Sequence, residues 1–165
     1  MMRGKYLPSS LTDYSMKLAE ILSPARVVAG VTVTSKKRAL EEMSKLLAKG
    51  AGTVTDGEIF SSLIGREKLG STGLGHGADS SPGRLGGADG CVAASIRLKH
   101  PVDYDADDGQ TVDLLFGLVV PQAATEMHLK HLAAIAELFS DDEFCKQARA
   151  CADDAALYAL VAARS

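Results

Sequence analysis

No run in this chain is long and apolar enough to span a bilayer, which takes about 20 such residues. Nor do the first residues follow the basic, apolar, small-residue order of a secretory leader, so membrane insertion and export are not expected. Cysteine is scarce. Cys91, Cys145 and Cys151 are an odd number, with no close pair and no histidine at metal-binding spacing. That excludes a disulfide scaffold or a sequence-evident metal site, and points to a reducing, cytoplasmic setting. A basic excess is also missing: 18 Lys and Arg stand against 21 Asp and Glu, for a net charge of −3. The charges are mixed along the chain, which argues against a nucleic-acid surface. No internal repeat or linker divides the 165 residues. One domain of about this length buries roughly 70% of its unfolded surface, enough for a core without covalent staples.

What is present alternates between strand and helix patterns. Residues 1–15 mix Gly4, Pro8, Ser9 and Ser10 without periodicity and read as a flexible tail, leaving 16–165 as the domain. "MKLAEIL" offers a turn or two of helix before Pro24, and "ARVVAGVTV" is a β-branched strand candidate. Ser35 caps a helix whose Ala39, Leu40, Met43, Leu46 and Leu47 fall at helical spacing, with Gly50 as its stop. Thr55 and Glu58 form a capping box for the next helix, which runs through "IFSSLIGREKLG". "CVAASIRLKHPV" and "TVDLLFGLVVP" read as strands joined by a turn at Gly109. The second is apolar on both parities and should be central, covered on both faces. Thr125 caps a helix with a stripe of Leu129, Leu132, Ala133, Ile135, Ala136 and Phe139. Two acid-led helices, "DDEFCKQARAC" and "DDAALYALVAAR", close the chain. The expectation is a single α/β domain: a layered sandwich with a mixed central sheet flanked by helices.

Between the second helix and the strands lies "REKLGSTGLGHGADSSPGRL", which reads as a glycine loop framed by arginines. Gly73 to Ala78 formally match a dinucleotide fingerprint, but that motif needs a strand before it and a helix opening within it. Here a helix precedes. His76 lies on this loop without a second ligand nearby and reads as a polar pocket wall. His128 and His131 neighbour one another on a helix face, and His128, near the helix start, is held neutral by the dipole. His131 reads as a solvated helix position and His100 as strand-end decoration. Asp103, Asp105, Asp107 and Asp108 lack the closing glutamate of a calcium loop. No metal or cofactor is called for.

The segments "REKLGSTGLGHG…PGRL", "PVDYDADDGQTVDLLFGLVVP" and "ATEMHLKHLAAIAELFSDDEF", in that order, resemble the type-2 enzyme IIA family of the phosphotransferase system, and most closely its nitrogen-regulatory branch. The resemblance covers about residues 16–163. It implies an α/β sandwich that accepts a phosphoryl group on histidine from an HPr-like phosphocarrier. In the sugar branch (fructose or mannitol type) the group passes on to a permease. In the nitrogen branch the phosphorylation state is the signal, with potassium-transport and sensor-kinase partners. Such a transfer needs a neutral imidazole nucleophile, backbone N–H groups admitted by glycine, and an arginine to spread the charge.

In the family the acceptor lies in an Ile-Pro-His-Gly-Arg or Lys run. Gly83 and Arg84 match its end, which puts Pro82 at the acceptor position and Ser80-Ser81 at the preceding Ile-Pro. Arg66, Arg84 and His128 match the family's phosphate pocket. Proline has neither a titratable group nor a free lone pair on nitrogen. A serine hydroxyl would need an activating base, and His76 would have to be carried into the vacant place. The chain thus reads either as a working acceptor with a relocated or restored histidine, or as a phosphorylation-dead binding module. A codon argument bears on the first. Asp-Ser-Ser-Pro encoded GAT-TCC-TCA-CCN gives ATT-CCT-CAC, Ile-Pro-His, when read one base later.

Overall fold

The computed structural model describes residues 20–67, 73–75, 78–85, 91–103, 111–121 and 126–164. Five strands form one sheet: β1 (Val27–Val31), β2 (Gly73–Gly75), β3 (Ala78–Leu85), β4 (Val92–Asp103) and β5 (Thr111–Pro121), in spatial order β1-β4-β5-β3-β2. β1 runs parallel to β4 and β3 parallel to β5, while β4–β5 and β2–β3 are antiparallel. The mixed sheet is as expected, with β5 at its centre. Helices α1 (Lys36–Ala48) and α2 (Asp56–Glu67) cover one face; α3 (Glu126–Phe139), α4 (Asp142–Ala150) and α5 (Asp154–Arg164) cover the other. The tail at 1–15, Gly109, Thr125 and most of "MKLAEIL" lie outside the described residues; a short 3-10 turn, Pro24–Arg26, leads into β1.

The two parities of β5 serve two cores. Leu114, Phe116, Leu118 and Val120 join the layer beneath α3–α5, whereas Leu115 and Val119 join the layer beneath α1 and α2. Phe139 of α3 sits between Phe116 (ring centroids 5.5 Å) and Phe144 of α4 (5.1 Å, edge-to-face), tying strand to two helices. The α3 stripe departs from the sequence pattern in part: Ile135 and Phe139 are buried as expected, but Ala133 is exposed and Ala136 half-buried, whereas Ala134 and Leu138 are buried. Two small alanines in succession give the periodicity no size contrast by which to choose between them.

The caps behave as their chemistry dictates. Ser35 accepts from the Arg38 N–H, and Thr55 and Glu58 exchange hydrogen bonds at 3.1 and 3.2 Å. Asp141 accepts from the N–H groups of Glu143 and Phe144, and Asp153 from that of Ala156. Gly50 follows α1 for a reason other than left-handed backbone. A Cβ there would fall 2.6 Å from Arg26 Nη1, and Arg26 donates to the carbonyls of Ala93 and Ile21. Positive φ occurs instead at Gly30 and Gly52 among the described residues.

One element departs from the expected loop. "ADSSPGRL" is strand β3, in continuous register with β5 from Ala78↔Leu114 to Leu85↔Pro121. Asp, Ser, Pro and Gly have poor strand propensity, but a ladder with the central strand overrides it. Proline is tolerated because β2 pairs β3 at Ala78 and Asp79 alone, leaving no described strand beside Pro82 on that side.

Candidate functional site

β3 is where the candidate residues gather by backbone placement. Pro82 lies opposite Leu118, and Arg84 opposite Val120, both members of the core layer that faces α3. α3, which carries His128 in its first turn, packs against β3. α2 packs against β3 from the other layer and carries Arg66, half-buried, in its last turn, where a cation complements the helix dipole. Thus four of the candidate positions belong to one strand and the two helices on either side of it. His76 lies outside the described residues, and Asp105, Asp107 and Asp108 do also. His100 is exposed on β4, whose pairing with β5 puts it at the far end from Val92↔Val119.

Arg149, Asp113 and Arg97 serve the fold. Arg149 pairs with Asp113 at 2.9 Å, and the Asp113 hydrogen bond raises the guanidinium's pKa. Arg97 donates to the carbonyls of Ala148, Arg149 and Cys151, closing the end of α4. Cys91, Cys145 and Cys151 are free thiols, and burial raises each of their pKa values, Cys91 to about 11. Low-pKa nucleophilic cysteine is therefore absent here. Among the described residues no three of His, Cys, Asp and Glu come together to hold a metal, and no helix is long and apolar enough to cross a membrane. Two open grooves of about 320 and 370 Å³ flank α1, sharing Glu41 and Lys45, and neither is lined by a candidate site residue.

Sequence reasoning missed Gly117. It lies between Ala94 of β4 and Ser81 of β3, and a Cβ there would fall 2.4 Å from Met43 Sδ and 3.1 Å from Leu47 Cδ1. The available signal was a lone glycine inside an otherwise apolar strand, which marks a close approach.

This fold and placement have relatives. A nitrogen regulatory protein of Pseudomonas aeruginosa is 42% identical over 146 residues, covering 88% of this chain and 95% of that protein. The crystal structure of nitrogen regulatory protein IIA-Ntr from Neisseria meningitidis superposes with a TM-score of 0.82 at 36% identity, covering 87% of this chain and 98% of that one. A solution structure of Escherichia coli enzyme IIA-mannitol in complex with phosphorylated enzyme IIB-mannitol shares the fold, with a TM-score of 0.66 at 17% identity over 88% of this chain and 96% of that one. Residues 20–163 match the model of the phosphoenolpyruvate-dependent sugar phosphotransferase system EIIA 2 family. The chain belongs to that family, as a nitrogen-regulatory homologue.

Proposed function

We propose that this protein is a cytoplasmic regulatory IIA module that engages an HPr-like phosphocarrier and downstream protein partners while itself remaining unphosphorylated. The observation that carries the reading is Pro82, at the position the family run gives to its acceptor histidine and in register with Leu118. Phosphoryl transfer to a IIA protein forms an N–P bond as the carrier's N–P bond breaks. Proline at 82 supplies no nitrogen lone pair for the attack. Arg66, Arg84 and His128 make up the anion-binding part, which is chemically able to receive a carrier's phosphoryl oxygens without completing the transfer. Residues 16–165 form the IIA domain in this reading and 1–15 a tail. Potassium-transport components and sensor kinases are the partner class that the nitrogen branch suggests.

Incubation with phosphoenolpyruvate, enzyme I and an HPr-like carrier should add no phosphate to the intact mass. An acid-labile, stoichiometric adduct would overturn the reading, and mapping it to His76 would identify a relocated nucleophile. The second reading is a working acceptor, a sugar-branch component (fructose or mannitol type) being a separate alternative; it rests on the displaced Ile-Pro-His frame. Sequencing codons 76–84 from fresh genomic DNA decides it: an Ile-Pro-His reading restores the acceptor, and Ser-Ser-Pro removes it.

A further inference from the structure

Among the described residues the sheet ends on two strands, β1 and the three-residue β2. β1 is the longer edge, and its sequence VVAGV carries neither charge nor proline. An uncharged, β-branched edge is a template on which a further strand can pair. Its inner side is filled by the parallel ladder to β4. On its outer side the donors ahead of Gly30 are taken from within the chain. The Val27 N–H donates to the Pro24 carbonyl of the 3-10 turn. The Ala29 N–H, two residues on and so on the same side, donates to Asp154 Oδ1 at 2.7 Å. Gly30 follows, exposed and at a φ of 85°, and the register shifts there before Val31. Asp153 already caps α5 by accepting from the Ala156 N–H, which leaves Asp154 to reach a residue 125 positions earlier in the chain.

We propose that Asp154 closes the outer edge of β1 against strand addition, and that the strand it keeps out is β1 of a second copy of this chain. A two-fold axis would set β1 antiparallel to its own image, uncharged against uncharged, with outward donors and carbonyls on both sides. As the chain stands, an incoming carbonyl meets the Asp154 carboxylate at the place where it needs the Ala29 N–H. Both are acceptors, and the carboxylate holds the hydrogen. Alanine at 154 releases that N–H and removes the charge. The first turn of α5 is then the only part of the helix still beside it. That turn can give way, because Asp154 and Ala155 are exposed and α5 is anchored beyond them by Leu157 and Val161, both buried.

The test compares Asp154→Ala, Asp154→Asn and Asp153→Ala in the full chain, with a reductant present because the three cysteines are free thiols. Sedimentation velocity over a concentration series reads self-association, and hydrogen exchange reads the Ala29 amide. In dilute solution D154A should exchange at Ala29 about tenfold faster, the effect of losing one hydrogen bond to a charged acceptor. As concentration rises it should form a dimer beyond any association of the parent, and the Ala29 amide should regain protection in that dimer. D154N keeps an oxygen acceptor and should match the parent in both readings. D153A removes the α5 cap, leaves the Ala29 bond, and should match the parent too.

An association state of D154A equal to the parent's would overturn the proposal. Association of D153A to the same extent would overturn it as well, by laying the effect on fraying of α5, and association of D154N would do so by removing the hydrogen bond from the account. A D154A dimer whose β1 amides exchange as fast as in the monomer would place the contact elsewhere. An associated species without a cooperative urea transition would show aggregation of unfolded chains in place of pairing between folded ones, and would equally overturn it.

Discussion

Moving the proline of β3 by one residue should reveal which edge of the strand is bonded. Consecutive residues of a strand send their N–H groups to opposite sides, so only one of Ser81 and Pro82 can donate toward β5. Pro82 has no N–H, and within sheets proline is confined to positions whose nitrogen faces away from a partner. β2 has already ended at Asp79 on that side. It follows that Ser81 donates to β5, opposite Gly117, in the middle of the sheet. Ser81→Pro then deletes one ladder bond and strands a β5 carbonyl among residues that are fully buried, such as Phe116 and Leu118. Leaving one buried partner unsatisfied costs about 1–3 kcal/mol. Stiffening of the unfolded chain by a second proline returns about 0.4–1 kcal/mol. The net loss is about 1–2 kcal/mol, or roughly 0.5–1 M in urea midpoint if m is about 2 kcal/mol/M. Pro82→Ala forfeits the stiffening alone, about 0.4–1 kcal/mol. Its new amide at 82 should exchange fast, while that of Ser81 is protected. A protected amide at 82 with a fast one at 81, or Ser81→Pro milder than Pro82→Ala, would show that the bonded side has been assigned in reverse. The family run carries its proline at the equivalent of 81. S80I/S81P/P82H therefore also tests whether β3 slides to accommodate it, at a cost well inside the 5–15 kcal/mol typical of a domain.

Two other perturbations follow from packing and burial. Phe139→Ala removes the middle ring of the Phe116–Phe139–Phe144 stack at 1% exposure and should cost about 3–5 kcal/mol, with Phe139→Leu recovering much of it; urea denaturation reads both, and a loss under about 1 kcal/mol would refute the joint between β5, α3 and α4. Burial pushes the Cys91 thiol from 9.0 to about 11, so the unfolded chain ionises first and stability should fall as pH rises between those values. Cys91→Ala should flatten that part of the alkaline decline, with folded Cys91 alkylated more slowly at pH 8 than in the urea-unfolded chain; an unchanged slope together with equal alkylation would refute the burial effect.

Regular elements were legible because each carries a local cause. The Ser35 and Thr55 caps, the apolar double parity of "LLFGLVV" and the acid-led terminal helices all fix their own boundaries, and the structure places them there. β3 has no such cause. Asp79, Ser80, Ser81, Pro82 and Gly83 are turn formers by composition, and nothing in their order announces a strand; the ladder of β5, whose partners lie 36 residues along the chain, makes them one. The candidate site inherits this. Pro82, Arg84, Arg66 and His128 could be picked out by family likeness, but their shared location depends on a non-local parallel pairing that periodicity cannot encode. A strand is also a stricter setting than a loop. A loop could swing His76 or a serine toward an incoming phosphoryl group, whereas residue 82 is held in register with Leu118 and its neighbours alternate away from it. Proline at this position is thus harder to compensate than it would be in a loop, and that favours the proposed module, whose partners would meet an unmodified surface.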